Sequence, residues 1–173
     1  MVVRSSGFAA VQAMVKAGYA GGAWTGPGIT TSIADAATGL TSLGIATADQ
    51  LGKVGGTFGG ETLATGDAIV MYTYAGDANL DGFISGDDYT ANDFAIAVPG
   101  ASGWFNGDFN HDGIVSGDDY TVIDFNVVAQ GAPFPTDAAG GIEGVTAVPE
   151  PGGILFVSSA AAAAMLRRRR RHA

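Results

Sequence analysis

The sequence predicts a mainly α fold: a pair of loop–helix units, preceded by a Gly/Thr/Ala-rich region with short helices and one extended segment. Three observations carry this reading. An acidic segment that starts at Gly76 is repeated from Gly107, 31 residues later. Each copy runs from an Asp-rich turn into a stretch with helix-capping residues and an apolar face. Elsewhere the 173 residues, 28 of them Gly and none Cys, show weak periodicity and hold no disulfide framework. A chain of this length fits one compact domain with tails, or two small modules.

Residues 5–17 read as a short helix: Ser5 or Ser6 caps it, Phe8, Val11, Met14 and Val15 form an apolar stripe, and Gly18 stops it. Between 20 and 66 the pattern weakens, with short helices expected at 32–38 and 47–51. Ala68 to Tyr74 is β-branched and aromatic and reads as a strand leading into the first repeat. Ser85 with Asp88, and Ser116 with Asp119, have capping-box spacing at the start of two helices. On the first helix Ala91, Phe94, Ala95 and Val98 share a face, and Pro99-Gly100 ends it. On the second Tyr120, Ile123 and Val127 share a face, and Gly131 with Pro133 ends it. Both faces are expected to pack in the core, and so is Trp104. The domain plan is therefore an N-terminal region at 1–75, the repeat module at 76–130, a flexible linker at 131–147 and a distinct tail at 148–173.

Within each repeat, oxygen-bearing residues recur at loop positions 1, 3, 5, 9 and 12, with Gly at position 6. That is the spacing of a twelve-residue calcium loop, which wraps a hard cation in six to eight oxygens. In loop one, Asp77, Asn79 and Asp81 supply side-chain oxygens, Phe83 its carbonyl, Ser85 a direct or water-mediated contact, and Asp88 closes the site. Loop two repeats the set with Asp108, Asn110, Asp112, Ile114, Ser116 and Asp119, so two calcium ions are expected. Asp at position 12 has a shorter reach than the Glu common there. Asp87 and Asp118, at position 11, should point outward, and His111 reads as a solvent-facing loop residue. Each loop carries four carboxylates that repel one another without the ion. With few apolar contacts to oppose them, the segment is predicted to be largely unfolded in chelator.

Charge is unevenly placed. Five of the eight basic residues are Arg167 to Arg171, so residues 1–166 hold 3 basic against 17 acidic residues, a net of −14. Ten of those acids lie within 77–124. Such a body repels phosphate backbones and excludes nucleic acid as a partner. At the C-terminus, Val148-Pro149-Glu150-Pro151-Gly152 precedes the apolar stretch 153–166 and then the arginines. The apolar stretch is shorter than the ~20 residues that comfortably span a bilayer, and the arginines favour the cytoplasmic side.

The repeat over roughly 76–128 resembles the dockerin type I module, which shares its Asp-x-Asn-x-Asp-Gly start and its loop-to-helix (F-hand) order. The resemblance implies a pseudo-twofold pair of calcium loops with packed helices, and a cohesin-like or other surface protein as partner. At positions 10 and 11, however, this chain has Gly86-Asp87 and Gly117-Asp118 in place of the usual hydroxyl-bearing recognition pair. The tail resembles a PEP-CTERM sorting signal, which implies export, transient membrane anchoring through 153–166 and processing by an exosortase-type enzyme. Met1 to Gly22 contains no uninterrupted apolar run of the kind a signal peptide needs. Either the start is misplaced, or the chain is the C-terminal end of a larger surface protein.

No catalytic set is visible, so the chain is read as a non-enzymatic, calcium-stabilised interaction module of the cell envelope or extracellular space. The alternatives are the accessory end of a polysaccharide-degrading glycoside hydrolase and a passive matrix protein. The scattered acids Asp35, Asp49, Glu61, Asp67, Asp137 and Glu143 would be the glycosidase candidates, although nothing in the sequence brings two of them together.

Overall fold

The structure, a computed structural model, describes residues 1–4 and 7–136. The proposed helix caps Ser5 and Ser6, the acids Asp137 and Glu143, and the tail at 148–173 lie outside them.

A mixed α/β architecture replaces the expected mainly α fold. Its centre is a three-stranded antiparallel sheet in the order β1 (Val2–Val3), β5 (Ala68–Tyr74), β2 (Thr41–Thr47). Strand β5 forms where its β-branched and aromatic run predicts. Strand β2 lies within the stretch of weak periodicity between 20 and 66. It pairs with β5 along its whole length, from Thr41 opposite Tyr74 to Thr47 opposite Ala68. On β1, Val2 faces Ile69 and Val3 faces Ala68. A small separate hairpin joins β3 (Thr57–Phe58) to β4 (Glu61–Thr62).

The two faces of β2 explain its weak sequence signal. Thr41, Leu43, Ile45 and Thr47 point to one face, and Ser42, Gly44 and Ala46 to the other. The second face carries little apolar signal because it receives bulk from elsewhere. A Cβ added at Gly44 would lie 2.5 Å from Leu80 Cδ2 and 2.7 Å from Trp104 Nε1. Glycine here lets the repeat segment lie directly on the sheet. Gly44→Ala is therefore expected to destabilise the protein by about 1–3 kcal/mol through overpacking. A denaturant midpoint shifted down with an unchanged slope would register it.

Around the sheet lie α1 (Phe8–Tyr19), α2 (Ala34–Ala37), α3 (Gly86–Ile96) and α4 (Gly117–Ala129), with short 3-10 turns at Ala20–Gly22 and Trp104–Asn106. Helix α1 buries Val11, Val15 and Gly18 and contacts β2. Of the two short helices expected before residue 66, one forms as α2; residues 48–52 form turns instead. The core runs continuously from Val11 and Val15 through Ile45, Ile69 and Val70 to Leu80, Ile84, Trp104, Phe109 and Ile123. Residue 75 is thus no break in packing, and the described residues form one compact unit.

Residues 131–134 also belong to this body, a correction to the linker expected from 131. Gly131 N–H donates to the Tyr74 hydroxyl, which donates to the Ala132 carbonyl at 3.0 Å. The Phe134 ring packs against Tyr72 and Tyr74, and its N–H donates to Gly82 O at 2.9 Å. Of the proposed linker, residues 137–147 lie outside the described residues. Among the described residues no helix is long and apolar enough to cross a membrane.

Candidate metal centre

Each repeat folds as a tight loop closed onto the first turn of its helix. Ser85 caps α3 and Ser116 caps α4, with capping boxes completed by Asp88 and Asp119. Ser85 N–H donates to Asp88 Oδ2 at 2.8 Å, and Ser116 N–H to Asp119 Oδ2 at 2.9 Å. The other oxygen of each acid reaches back across the loop. Asp88 Oδ1 accepts from the N–H groups of Ala78 and Asn79, and Asp119 Oδ1 from those of Phe109 and Asn110. One carboxylate thus fastens the two ends of each loop, and both are fully buried. At position 6, Gly82 (φ 91°) and Gly113 (φ 98°) supply the left-handed bend that side-chain-bearing residues disfavour.

Asp77, at position 1, is also fully buried. It accepts from Asp81 N–H, from Gly82 N–H and from the Thr73 hydroxyl on β5. Asn79 Oδ1 accepts from Asp81 N–H at 2.9 Å, and Asp81 Oδ1 from Phe83 N–H at 3.0 Å. Asn110 and Asp112 repeat these two bonds with the N–H groups of Asp112 and Ile114. Phe83 and Ile114, the carbonyl donors of the predicted set, are both exposed, as are Asp87 and Asp118. Burial pushes the Asp77 carboxyl up to about 7, with the charges of Asp88 and Asp81 adding to it and the hydrogen bonds from Thr73 and Gly82 opposing it. Burial likewise raises Asp88 and Asp119, the latter with help from Asp108.

The donor set suits a hard cation. Every candidate ligand is an oxygen, and buried carboxylates sit close enough to raise one another. Among the described residues the salt bridges join Arg4 to Glu61 and to Asp67, and none reaches a loop carboxylate. Asp108 Oδ1 is buried with no hydrogen-bond partner. A buried carboxylate oxygen in that condition is costly unless a cation meets it. No three Asp, Glu or His side chains among the described residues gather into one cage. Calcium would draw on Asn, Ser and carbonyl oxygens as well as carboxylates here.

Protein-family models, curated proteins and solved structures contain no match to this chain.

The aromatic neighbours of the loops depart from expectation. His111 is only 6% exposed, not solvent-facing. It stacks on Trp104 with ring centroids 5.3 Å apart, approaches Tyr19 and Trp24, and lies 3.3 Å from Ser42 Oγ through Nε2. Burial, with the Lys16 charge, lowers its pKa to about 4, so the ring is neutral near pH 7. A signal for this was present in the repeat. Leu80 is the matching residue of loop one, and both hold positive φ, 54° and 56°, at position 4. Trp104 does pack in the core, and its Nε1–H also donates to the Asp77 carbonyl at 2.6 Å. A single indole thereby joins loop one, loop two and the sheet.

Ala95 and Ile123 are buried and Ala91 and Val127 pack against the core as expected, but the first face is corrected at two residues. Phe94 is 74% exposed and Val98 is exposed, whereas Asn92 and Ala95 face inward on α3. On α4 Ile123 is buried as expected, while Phe125 is 70% exposed and Val128 more so. Phe94 and Phe125 are equivalent residues of the two repeats. The helices are tied by a reciprocal pair of bonds between equivalent residues of the two repeats, Tyr89 hydroxyl to Asp124 Oδ1 at 2.7 Å and Tyr120 hydroxyl to Asp93 Oδ1. This reciprocity is the signature of an internal twofold relation.

Proposed function

We propose that this chain is a calcium-stabilised, non-catalytic interaction module of an exported cell-envelope protein. The observation that carries the reading is the pairing, in each repeat, of a buried-carboxylate loop with a helix that leaves a phenylalanine exposed. The calcium loops hold α3 and α4 in register, with Phe94 on α3, Val98 just past its end, and Phe125 and Val128 on α4 all turned outward. Single exposed apolar residues are ordinary, but a phenylalanine exposed at the same position of both repeats favours a docking face. An open groove of about 590 Å³ lies along α3, lined by Ala91, Phe94, Ala95, Val98 and Phe105, with Asp87 at its edge. Asp93, Asp118 and Asp124 are exposed on the same two helices. A partner with apolar side chains flanked by Lys or Arg matches this surface.

Export and surface placement rest on the resemblance of the tail to a PEP-CTERM signal, and the docking role draws support from the likeness of the repeats to dockerin type I sequences. In a pull-down from cell-surface extract, the immobilised chain is expected to retain a protein in calcium and release it in chelator. The double variant Phe94→Ser, Phe125→Ser should lose that protein while keeping its calcium and its melting temperature. Retention that ignores both calcium and the double substitution would count against the reading, as would capture of nothing in either condition.

A further inference from the structure

Resting on the calcium reading, we propose that the two loops are unequal sites. Loop one is the tight, preformed site, and loop two is a weaker one held back by the N-terminal helix through Lys16. The candidate ligand sets are the same apart from the carbonyl donors Phe83 and Ile114, so the difference lies in their surroundings.

Two independent observations separate them. Asp77 is turned into its own loop, where Oδ1 accepts from Asp81 N–H at 3.1 Å and Oδ2 from Gly82 N–H at 2.9 Å. Asp108, its equivalent, makes neither bond. Its Oδ2 accepts instead from Gly103 N–H at 3.1 Å, outside the loop, and its Oδ1 is left buried and unpartnered although Asp108 is only 3% exposed. Position 1 of loop two is thus tied through one oxygen to a group outside the loop, whereas position 1 of loop one is tied through both oxygens within its own loop.

The second observation is the cation. Lys16 Nζ donates to the Asp112 backbone carbonyl at 2.6 Å, and Lys16 lines a cleft of about 220 Å³ with Gln12, Asp108, His111 and Gly113. Among the described residues no Lys or Arg hydrogen bond reaches loop one; those of Arg4 go to Glu61, Thr62 and Asp67. An ammonium at the mouth of a calcium loop acts in two ways with the same sign. It relieves carboxylate repulsion before the ion arrives and repels the ion once bound, and both effects weaken binding. Helix α1 thereby becomes part of the second site, and its attachment to the repeat is sensitive to whether that site is filled.

Calorimetric titration of the full chain with calcium chloride at pH 8 tests this. The wild type should take up two ions in separable steps at least about tenfold apart. Asp81→Asn should erase or weaken the tight step, and Asp112→Asn the weak one. Lys16 is exposed, and Lys16→Gln should tighten the weak step by roughly three- to tenfold while leaving the tight step in place. Two equal steps, a Lys16→Gln profile that matches the wild type, or loss of the tight step in Asp112→Asn would overturn the inequality and leave the calcium reading intact. A wild-type chain that takes up no calcium would overturn both.

Discussion

Stripping calcium with a chelator should lower the melting temperature of this protein by about 15 °C or more. Each site filled at a hundredfold excess over its dissociation constant contributes about 2.7 kcal/mol, so two sites supply about 5 kcal/mol. In a domain of this size each kcal/mol moves the midpoint by roughly 3–5 °C. The expectation of a repeat largely unfolded in chelator is tempered by the packing. Leu80, Ile84, Phe109 and Ile123 are fully or almost fully buried and tie the repeat to the sheet, so the metal-free chain keeps a weakened fold. Its pH dependence should also change sign with the ion. In chelator, folded Asp77 keeps its proton up to about 7, while the unfolded carboxyl loses it near 4. The folded state then binds more protons, so stability falls as pH rises through that window. With calcium present the ion holds the carboxylates ionised in the folded state, protons compete with it, and stability falls on acidification instead. Melting curves across pH 4 to 8, with and without chelator, check both slopes.

Trp104→Ala should cost about 3–5 kcal/mol. The indole fills the space above Gly44, packs edge-on against Phe109, stacks on His111 and donates to the Asp77 carbonyl. Its loss opens a cavity where both loops meet the sheet. Trp104→Phe restores part of the apolar volume but leaves the buried Asp77 carbonyl without this donor, for a smaller cost of about 1–3 kcal/mol. Calcium titration of the two variants separates the roles. Trp104→Phe should weaken loop one, whose first residue it no longer anchors, more than loop two. Equal stability of Trp104→Ala and wild type in urea would refute the keystone role.

The loops were legible because their geometry is local. Gly82, Ser85 and Asp88, with their counterparts Gly113, Ser116 and Asp119, act within a dozen residues, so spacing alone predicts the bend and the capping box. Strand β5 was legible for a similar reason, since its own side chains carry the β signal. Strand β2 was not, because Gly44 gives up its side chain to Trp104 and Leu80, residues far along the chain. The missing sheet explains His111, which lies against Ser42 of β2, whereas the inward side of α3 is set by the Trp104–Asn106 turn and α4, which leave Phe94 and Val98 outside. Which side of a helix or loop is buried depends on what covers it, and a mainly α reading supplied the wrong cover. The Leu80–His111 equivalence held the correct clue, in the repeat itself.

The central claim is that two oxygen-lined loops are filled by calcium and hold α3 and α4 in place for docking. Metal analysis of the full chain, purified in millimolar calcium and desalted into metal-free buffer with a parallel equilibrium dialysis, tests it most directly. Two calcium ions per chain are predicted at saturation, falling to one in either Asp81→Asn or Asp112→Asn at limiting calcium. A chain that binds less than one ion at millimolar calcium, with a melting temperature indifferent to chelator, would contradict the account.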